Sequence, residues 1–462
     1  MKLNKKNILF LINSSYLICI LIFSLNIYFS KSIITNDLIF PWVISLIMIQ
    51  ILNFVITKTN LFEFGIWYIF LSYIFLFGNL FFDRFQLSSQ LVWDPFIFYS
   101  DEVIGKAYLF SIYCLLFFQL GYLFNIRNNE KSIIKDYNEE YYGNKMKNMG
   151  LFFLSVSLPA RLYSDLKIVQ IISSDNSYAS FSDAVASGVF DDLGQLLLPS
   201  IFLLFFSGKI SKKKKFVLFI ITLIYLVYFM VSSGSRKISI FSILTLILAY
   251  FYSIRLKRIS FSRLLFISVI GAFLMNLMVV IRDNRFQIDT IAKNLIESSM
   301  SLDTYKMLIG EVLAELRITV LSVSSAIELV PSTLPFQNGM SFIRAVISFL
   351  PIGWLVGDFF SLGSSTYVIN KIKGVPVGSS LIAESFWNFG YLFGILFMFF
   401  FGVILSKYVK KLLFSDSPLD VALYFSLFSQ IVLFVRSGTM DVFRLLIYII
   451  LIFYFIRRVD FS

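Results

Sequence analysis

Apolar residues run along this chain in long blocks, without the two-residue alternation of a half-buried strand. The blocks lie near residues 8–30, 39–57, 64–82, 105–126, 150–172, 193–208, 216–232, 238–254, 264–281, 380–405, 419–436 and 442–456. Most approach the roughly 20 apolar residues that a helix needs to cross a bilayer. In hydrocarbon only a helix or a closed barrel satisfies its own backbone polar groups, so the pattern predicts an all-α polytopic membrane protein of about twelve transmembrane helices. It is read as a single transmembrane domain spanning 1–462. The first block follows Lys5 and Lys6 and has no small-residue cleavage site, so it is expected to stay as the first helix.

Two stretches between the blocks are longer than a turn requires. Residues 173–192 contain Asp175, Tyr178, Asp183, Asp191 and Asp192 with no Lys or Arg. Residues 282–379 separate the ninth and tenth blocks and are too apolar for disorder. Val312, Leu316, Val320, Val323, Ile327 and Val330 recur there at helical spacing, which predicts a helix capped near Asp303 and ended by Pro331 and Pro335. A second short helix is predicted over 341–350, stopping at Pro351. Such amphipathic pieces are expected on the outer membrane surface or over the bundle as a lid.

The charges orient the chain. Lys58, Lys131, Lys135, Lys145, Lys147, Lys209, Lys212 to Lys215, Lys257, Lys407, Lys410 and Lys411 fall in alternate connections, and Arg457 and Arg458 close the chain. The positive-inside rule then puts both termini in the cytoplasm and 282–379 outside it. Away from the cytoplasmic side Arg outnumbers Lys, at Arg84, Arg161, Arg236, Arg282, Arg285, Arg317, Arg344, Arg436 and Arg444. Lys suffices for orientation, whereas Arg is preferred where a planar fork grips phosphate or carboxylate. Ion pairs with Asp165, Asp283 or Asp441, or snorkelling, account for a single such Arg more easily than for the set.

Composition narrows the chemistry. Of 462 residues, 58% are apolar, 18% aromatic and only 15% charged, and the mean hydropathy is +0.81. The net charge of +12 is what cytoplasmic Lys and Arg give a membrane protein and implies no nucleic acid. Cys19 and Cys114 sit in separate apolar blocks and read as packing residues. There is no histidine, which removes His-based acyl transfer and His metal sites. No phosphate-binding Gly-rich loop and no Asp-x-Asp pair occurs, so neither cofactor nor metal is expected.

Three short runs carry candidate chemistry. Ser232-Ser233-Gly234-Ser235-Arg236 turns between two blocks and leaves a cation where the turn alone needs none. Arg282-Asp283-Asn284-Arg285 flanks a carboxylate with two guanidinium groups at a predicted interface. The tenth block contains Leu381-Ile382-Ala383-Glu384-Ser385-Phe386-Trp387-Asn388-Phe389-Gly390, with Glu384 and Asn388 four apart on one face. A carboxylate buried there fits a general acid/base or an orienting group.

These runs, with Phe342 to Pro351, resemble the Wzy-type O-antigen polymerases, the oligosaccharide repeat unit polymerases. The likeness covers most of the chain from the block at 216–232 onward and the general layout of helices around one large outer loop; Glu384 to Gly390 is its most specific part. Relatives often carry a basic residue after the proline at 351, where this chain has Ile352, so no role is assigned there.

The resemblance implies metal-independent glycosyl transfer at a bacterial cytoplasmic (inner) membrane, with the site facing the periplasm or cell exterior. The implied donor is a glycan on undecaprenyl diphosphate, and the acceptor is a hydroxyl of another lipid-linked repeat unit. Implied partners are these lipid-linked oligosaccharides, the bilayer, a chain-length regulator and a flippase. Arg236 and Arg282 are expected at the diphosphate, with Arg285, Arg344, Arg436 and Arg444 as further candidates. Glu384 is expected as the acid/base or orienting carboxylate, ahead of Asp283 and Asp441. Asn388 joins Glu384 on its face, and Tyr178 and Trp387 are candidates to stack on sugar rings, although each such residue is more often an interface aromatic. An O-antigen ligase is disfavoured because such enzymes rely on a loop histidine. A flippase is disfavoured because one half only carries a long outer loop.

Overall fold

The computed structural model describes residues 5–30, 33–87, 95–124, 139–175, 188–233, 236–254, 306, 309–310, 313–314, 316–350, 357–374 and 378–458. Among them every regular element is a helix and no strand occurs. In chain order the longer helices are α1 (Lys5–Ser30), α2 (Asn36–Thr57), α3 (Phe64–Arg84), α4 (Asp101–Phe124), α5 (Glu139–Asp175), α6 (Gly188–Gln195), α7 (Leu197–Phe206), α8 (Lys212–Ser233) and α9 (Arg236–Ser253). They continue with α10 (Val320–Leu329), α11 (Met340–Ile347), α12 (Ser365–Lys373), α13 (Leu381–Ile404), α14 (Pro418–Ile431) and α15 (Thr439–Arg458).

Among the described residues eight helices are long and apolar enough to cross a membrane: Asn7–Ser30, Asn36–Thr57, Phe64–Arg84, Asp101–Phe124, Val189–Phe206, Leu381–Leu413, Pro418–Val435 and Thr439–Arg458. The expected blocks at 216–232 and 238–254 coincide with α8 and α9. The block at 150–172 lies within the longer α5, which also carries Lys145, Lys147, Arg161, Asp165 and Lys167. The block at 264–281 lies outside the described residues.

The helices group into two compact units. One comprises Met1–Asn129, Leu302–Tyr408 and Phe434–Asp441, and the other Glu130–Ser301, Val409–Leu433 and Val442–Ser462.

In the first unit α1, α2, α3 and α4 are tied by side-chain amides as well as by apolar packing. Asn13 and Asn53 exchange amide hydrogen bonds at 3.2 and 3.0 Å, and Asn53 also donates to Gln119 at 2.9 Å. Gln119 donates to the Gln50 carbonyl, Gln50 donates to the Leu115 carbonyl, and Tyr73 donates to Gln50 at 2.6 Å. Lipid offers these groups no partner, so each bond selects one helix register; such bonds contribute about 0.6–2 kcal/mol apiece. The outward side of α1, with Phe10, Ile18, Ile22 and Phe29, is exposed, as a lipid-facing surface would be. Cys114 is buried, but Cys19 is on the exposed face of α1, which corrects its reading as a packing residue.

The central contact of this unit is α4 against α13. A Cβ at Gly121 would lie 2.0 Å from the Phe399 carbonyl oxygen, and one at Gly402 would lie 2.3 Å from that of Phe118. Only hydrogen fits at either position, so the two backbones touch there, and Phe118 and Phe401 pack beside the crossing.

Within the stripe expected over 312–330 a short 3-10 turn, Arg317–Thr319, is followed by α10, while Val312 and the expected cap Asp303 lie outside the described residues. Val320, Leu321, Val323, Ala326 and Leu329 are buried, and so are Ser322, Ser324 and Ser325. α10 packs against both α4 and α13 inside the unit, with Glu328 exposed near its end. The expected second helix forms as α11.

The second unit is built on a polar stripe of α5. Ser157, Ser164 and Asp165 are buried, and the Arg161 side chain is 14% exposed. Arg161 Nε donates to Asp165 Oδ2 at 2.8 Å, Tyr225 donates to the same oxygen, and the guanidinium lies 5.1 Å from the Phe229 ring centre. Elsewhere in this unit Arg444 pairs with Asp192 and Arg457 with Asp420, while Phe206 stacks on Phe425 at 5.5 Å.

Breaking one partner of a buried pair strands the other charge. Asp165→Asn should therefore lower stability by about 3 kcal/mol, whereas replacing Arg161 and Asp165 together by Leu should restore most of that loss. Thermal unfolding in detergent measures both. Equal midpoints for Asp165→Asn and wild type would contradict a desolvated pair.

Candidate functional site

Helix α13 starts where two serines precede a long apolar run. Ser380 is its N-cap and accepts the backbone N–H of Ala383 at 3.2 Å. Glu384 follows one turn in and is 0% exposed. A carboxylate enclosed this way needs donors, and the first unit supplies them from two other segments. Ser341 of α11 donates to Oε1 at 2.6 Å. Thr439, the first residue of α15, donates its hydroxyl to Oε1 and its backbone N–H to Oε2, both at 2.6 Å. The carboxylate thus caps the start of α15, where unsatisfied N–H groups and the helix dipole favour negative charge.

Asn388 extends this arrangement along the same face of α13. Its amide nitrogen donates to Ser341 Oγ and to the Glu384 carbonyl, both at 2.8 Å, and its amide oxygen accepts the Gly339 N–H at 2.9 Å. Two residues later the backbone leaves helical geometry at Gly390, with φ 67° and ψ −159°. The carbonyls of Trp387 and Asn388 accept instead from the backbone N–H groups of Gln337 and Asn338, each at 3.1 Å. Glu384, Asn388 and Gly390 therefore form one device that holds the turn 337–341 against α13.

Hydroxyl groups surround the device. Ser365 and Ser379 are 2.6 Å apart through their Oγ atoms, and Ser322 and Ser380 are 3.3 Å apart. A Cβ at Gly438 would meet Ser365 Oγ at 2.8 Å and Glu384 Oε2 at 3.2 Å, so the backbone of 438 closes over the carboxylate.

Two of the expected arginines lie in segments that Glu384 holds. Arg344 is one turn after Ser341 on α11; its Nη1 donates to Gln337 Oε1 at 2.9 Å and to the Leu362 carbonyl at 3.2 Å. Its guanidinium stands 5.1 Å from the Phe359 ring centre. Arg436 precedes Thr439 by three residues and stands 5.7 Å from the Phe75 ring centre. Asp441 is exposed at the same helix start.

Other expected residues are placed elsewhere. Arg444 pairs with Asp192 in the second unit. Trp387, expected as a sugar platform, is 2% exposed inside the first unit. Arg236 opens α9, but its side chain is outside the described residues, as are Tyr178, Arg282, Asp283 and Arg285. No group of three or more Cys, Asp and Glu side chains able to hold a metal occurs among the described residues.

Ser341, Thr439 and Gln337 were not legible as site residues, because hydroxyl and amide side chains are common and become informative only through what they touch. Arg317 had a signal, a cation in an apolar stripe, but no assigned role. It is 9% exposed, donates to Asn79, and lies between the Phe82 and Phe96 rings at 4.2 and 4.9 Å.

Compared with protein-family models, the chain matches the one described as O-antigen polysaccharide polymerase Wzy over residues 11–459. No curated protein and no solved structure matches it.

Gly390 occupies a backbone region that is essentially open to glycine alone, and a Cβ there would also meet Phe336 at 3.3 Å. Gly390→Ala should cost about 1–3 kcal/mol and release the turn 337–341 from α13. Thermal unfolding with hydrogen exchange of residues 337–341 checks this; unchanged protection would contradict it.

Proposed function

Because the chain belongs to the O-antigen polysaccharide polymerase Wzy family, we propose that it joins undecaprenyl-diphosphate-linked oligosaccharide units on the outer side of a bacterial cytoplasmic membrane. Both termini are cytoplasmic in this reading, and 282–379 is the outer loop of a single transmembrane domain. The acceptor hydroxyl oxygen attacks the anomeric carbon of the donor glycan. The bond from that carbon to the phosphate oxygen breaks, undecaprenyl diphosphate leaves with the electron pair, and the hydroxyl proton is released.

The observation that supports this most is the link through Glu384 between the segments bearing Arg344 and Arg436. Charge develops on the diphosphate as it leaves, and fixed guanidinium groups stabilise it without reorganisation. From the sequence, Arg236, Arg282 and Arg285 are also proposed as diphosphate ligands, with Arg444 a further candidate. Asp283 and Tyr178 are proposed on the saccharide side, while Asn388, whose amide is taken up by Ser341, Gly339 and the Glu384 carbonyl, is proposed to hold the turn 337–341 in place. Both substrates carry lipid tails, so the site must open sideways to the bilayer, while the outer loop covers the sugars and restricts water. A chain-length regulator and a flippase are the proposed partners.

The test is a gel of surface polysaccharide from a deletion strain complemented with wild type, Arg282→Ala, Arg344→Ala or Arg436→Ala. Loss of one preorganised donor typically costs about 10²–10³ in rate, so each variant should collapse the ladder toward a single repeat unit on its acceptor. A normal ladder from all three at wild-type protein levels would overturn the assignment. Absence of even one unit on the acceptor would move the function to flipping or ligation.

A further inference from the structure

We infer that Glu384 is a positioning residue and not the general base: its carboxylate fixes the two segments that present Arg344 and Arg436. This rests on the proposal that these arginines hold the diphosphate.

A general base must come within about 2.6–3.2 Å of the proton it takes. Glu384 is fully buried, and three protein donors already occupy its oxygens at 2.6 Å. On the Oε2 side Gly438 leaves no room for even a methyl group beside Ser365 and the carboxylate. An acceptor hydroxyl therefore has no approach to either oxygen in this arrangement. The donors themselves are informative by position. Ser341 lies one turn before Arg344, and Thr439 three residues after Arg436. Asn388 binds Ser341 and Gly339, which continues the same clamp to the turn preceding α11. Arg344 also donates to Gln337, whose backbone N–H is held by the Trp387 carbonyl. Moving the carboxylate would therefore shift both cations, and a displacement near 1 Å costs about a hundredfold in rate when it misaligns a reacting centre.

A base and a clamp respond differently to glutamine. The Oε1 of Gln can accept the Thr439 N–H while its amide donates to the Ser341 and Thr439 hydroxyls, which rotate to accept. The clamp survives this exchange, but a base does not. The experiment uses membranes containing the full chain, supplied with the strain's own undecaprenyl-diphosphate-linked repeat units, with protein levels measured in every sample. Glu384→Gln should stay within about tenfold of wild type, while Glu384→Ala falls by about a hundredfold or more. The double variant Ser341→Ala/Thr439→Val keeps the carboxylate but removes both hydroxyl donors, and should fall as Glu384→Ala does. An inactive Glu384→Gln at wild-type protein level overturns the inference, as does a fully active double variant. Full activity in both Arg344→Ala and Arg436→Ala would instead overturn the diphosphate reading beneath it, a failure visible without any Glu384 variant.

Discussion

One buried carboxylate organises the first unit. Glu384 receives Ser341 and Thr439 while sitting in the first turn of α13, so it joins the starts of three helices, α11, α13 and α15. Burying a carboxylate in an apolar bundle is costly unless hydrogen bonds replace its water, and here they come from elements far apart in sequence. The same bonds that offset the burial also fix where those elements begin. The kink at Gly390 is a consequence of the same arrangement, because it turns two carbonyls of α13 toward the turn that feeds α11.

The surrounding bundle follows a related rule. Hydrocarbon does not reward apolar contact between helices as water does, so helix pairing depends on close packing and polar bonds. Gly121 and Gly402 supply the close packing, and the Asn13, Asn53, Gln119 and Gln50 amides supply the polar bonds. In the second unit Arg161, Asp165 and Tyr225 do comparable work with formal charges. Polar groups inside this chain thus fix helix register in most places and, at Glu384, hold the starts of α11 and α15 against α13.

The sequence made some of this plain for physical reasons. Apolar blocks of spanning length announce helices whatever their neighbours, and α1 to α4 and α13 to α15 fall where those blocks lie. The pairing of Glu384 with Asn388 was visible as a four-residue spacing, and the family as the run around it. What periodicity could not show was a partner distant in sequence. Nothing near Thr439 or Ser341 distinguishes them from other hydroxyl residues until the fold brings them to the carboxylate. Arg282, Asp283, Arg285, Tyr178 and the side chain of Arg236 lie outside the described residues, and their roles are proposed from the sequence and the family resemblance alone.

We propose that this chain alone forms the glycosidic bond between lipid-linked units. Purified protein reconstituted in liposomes with undecaprenyl-diphosphate-linked repeat units tests that most directly, with polymer and released undecaprenyl diphosphate measured together. Polymer should grow with one undecaprenyl diphosphate released for each bond formed. Lipid-linked units that cross the bilayer or are hydrolysed, without any lengthening, would contradict it.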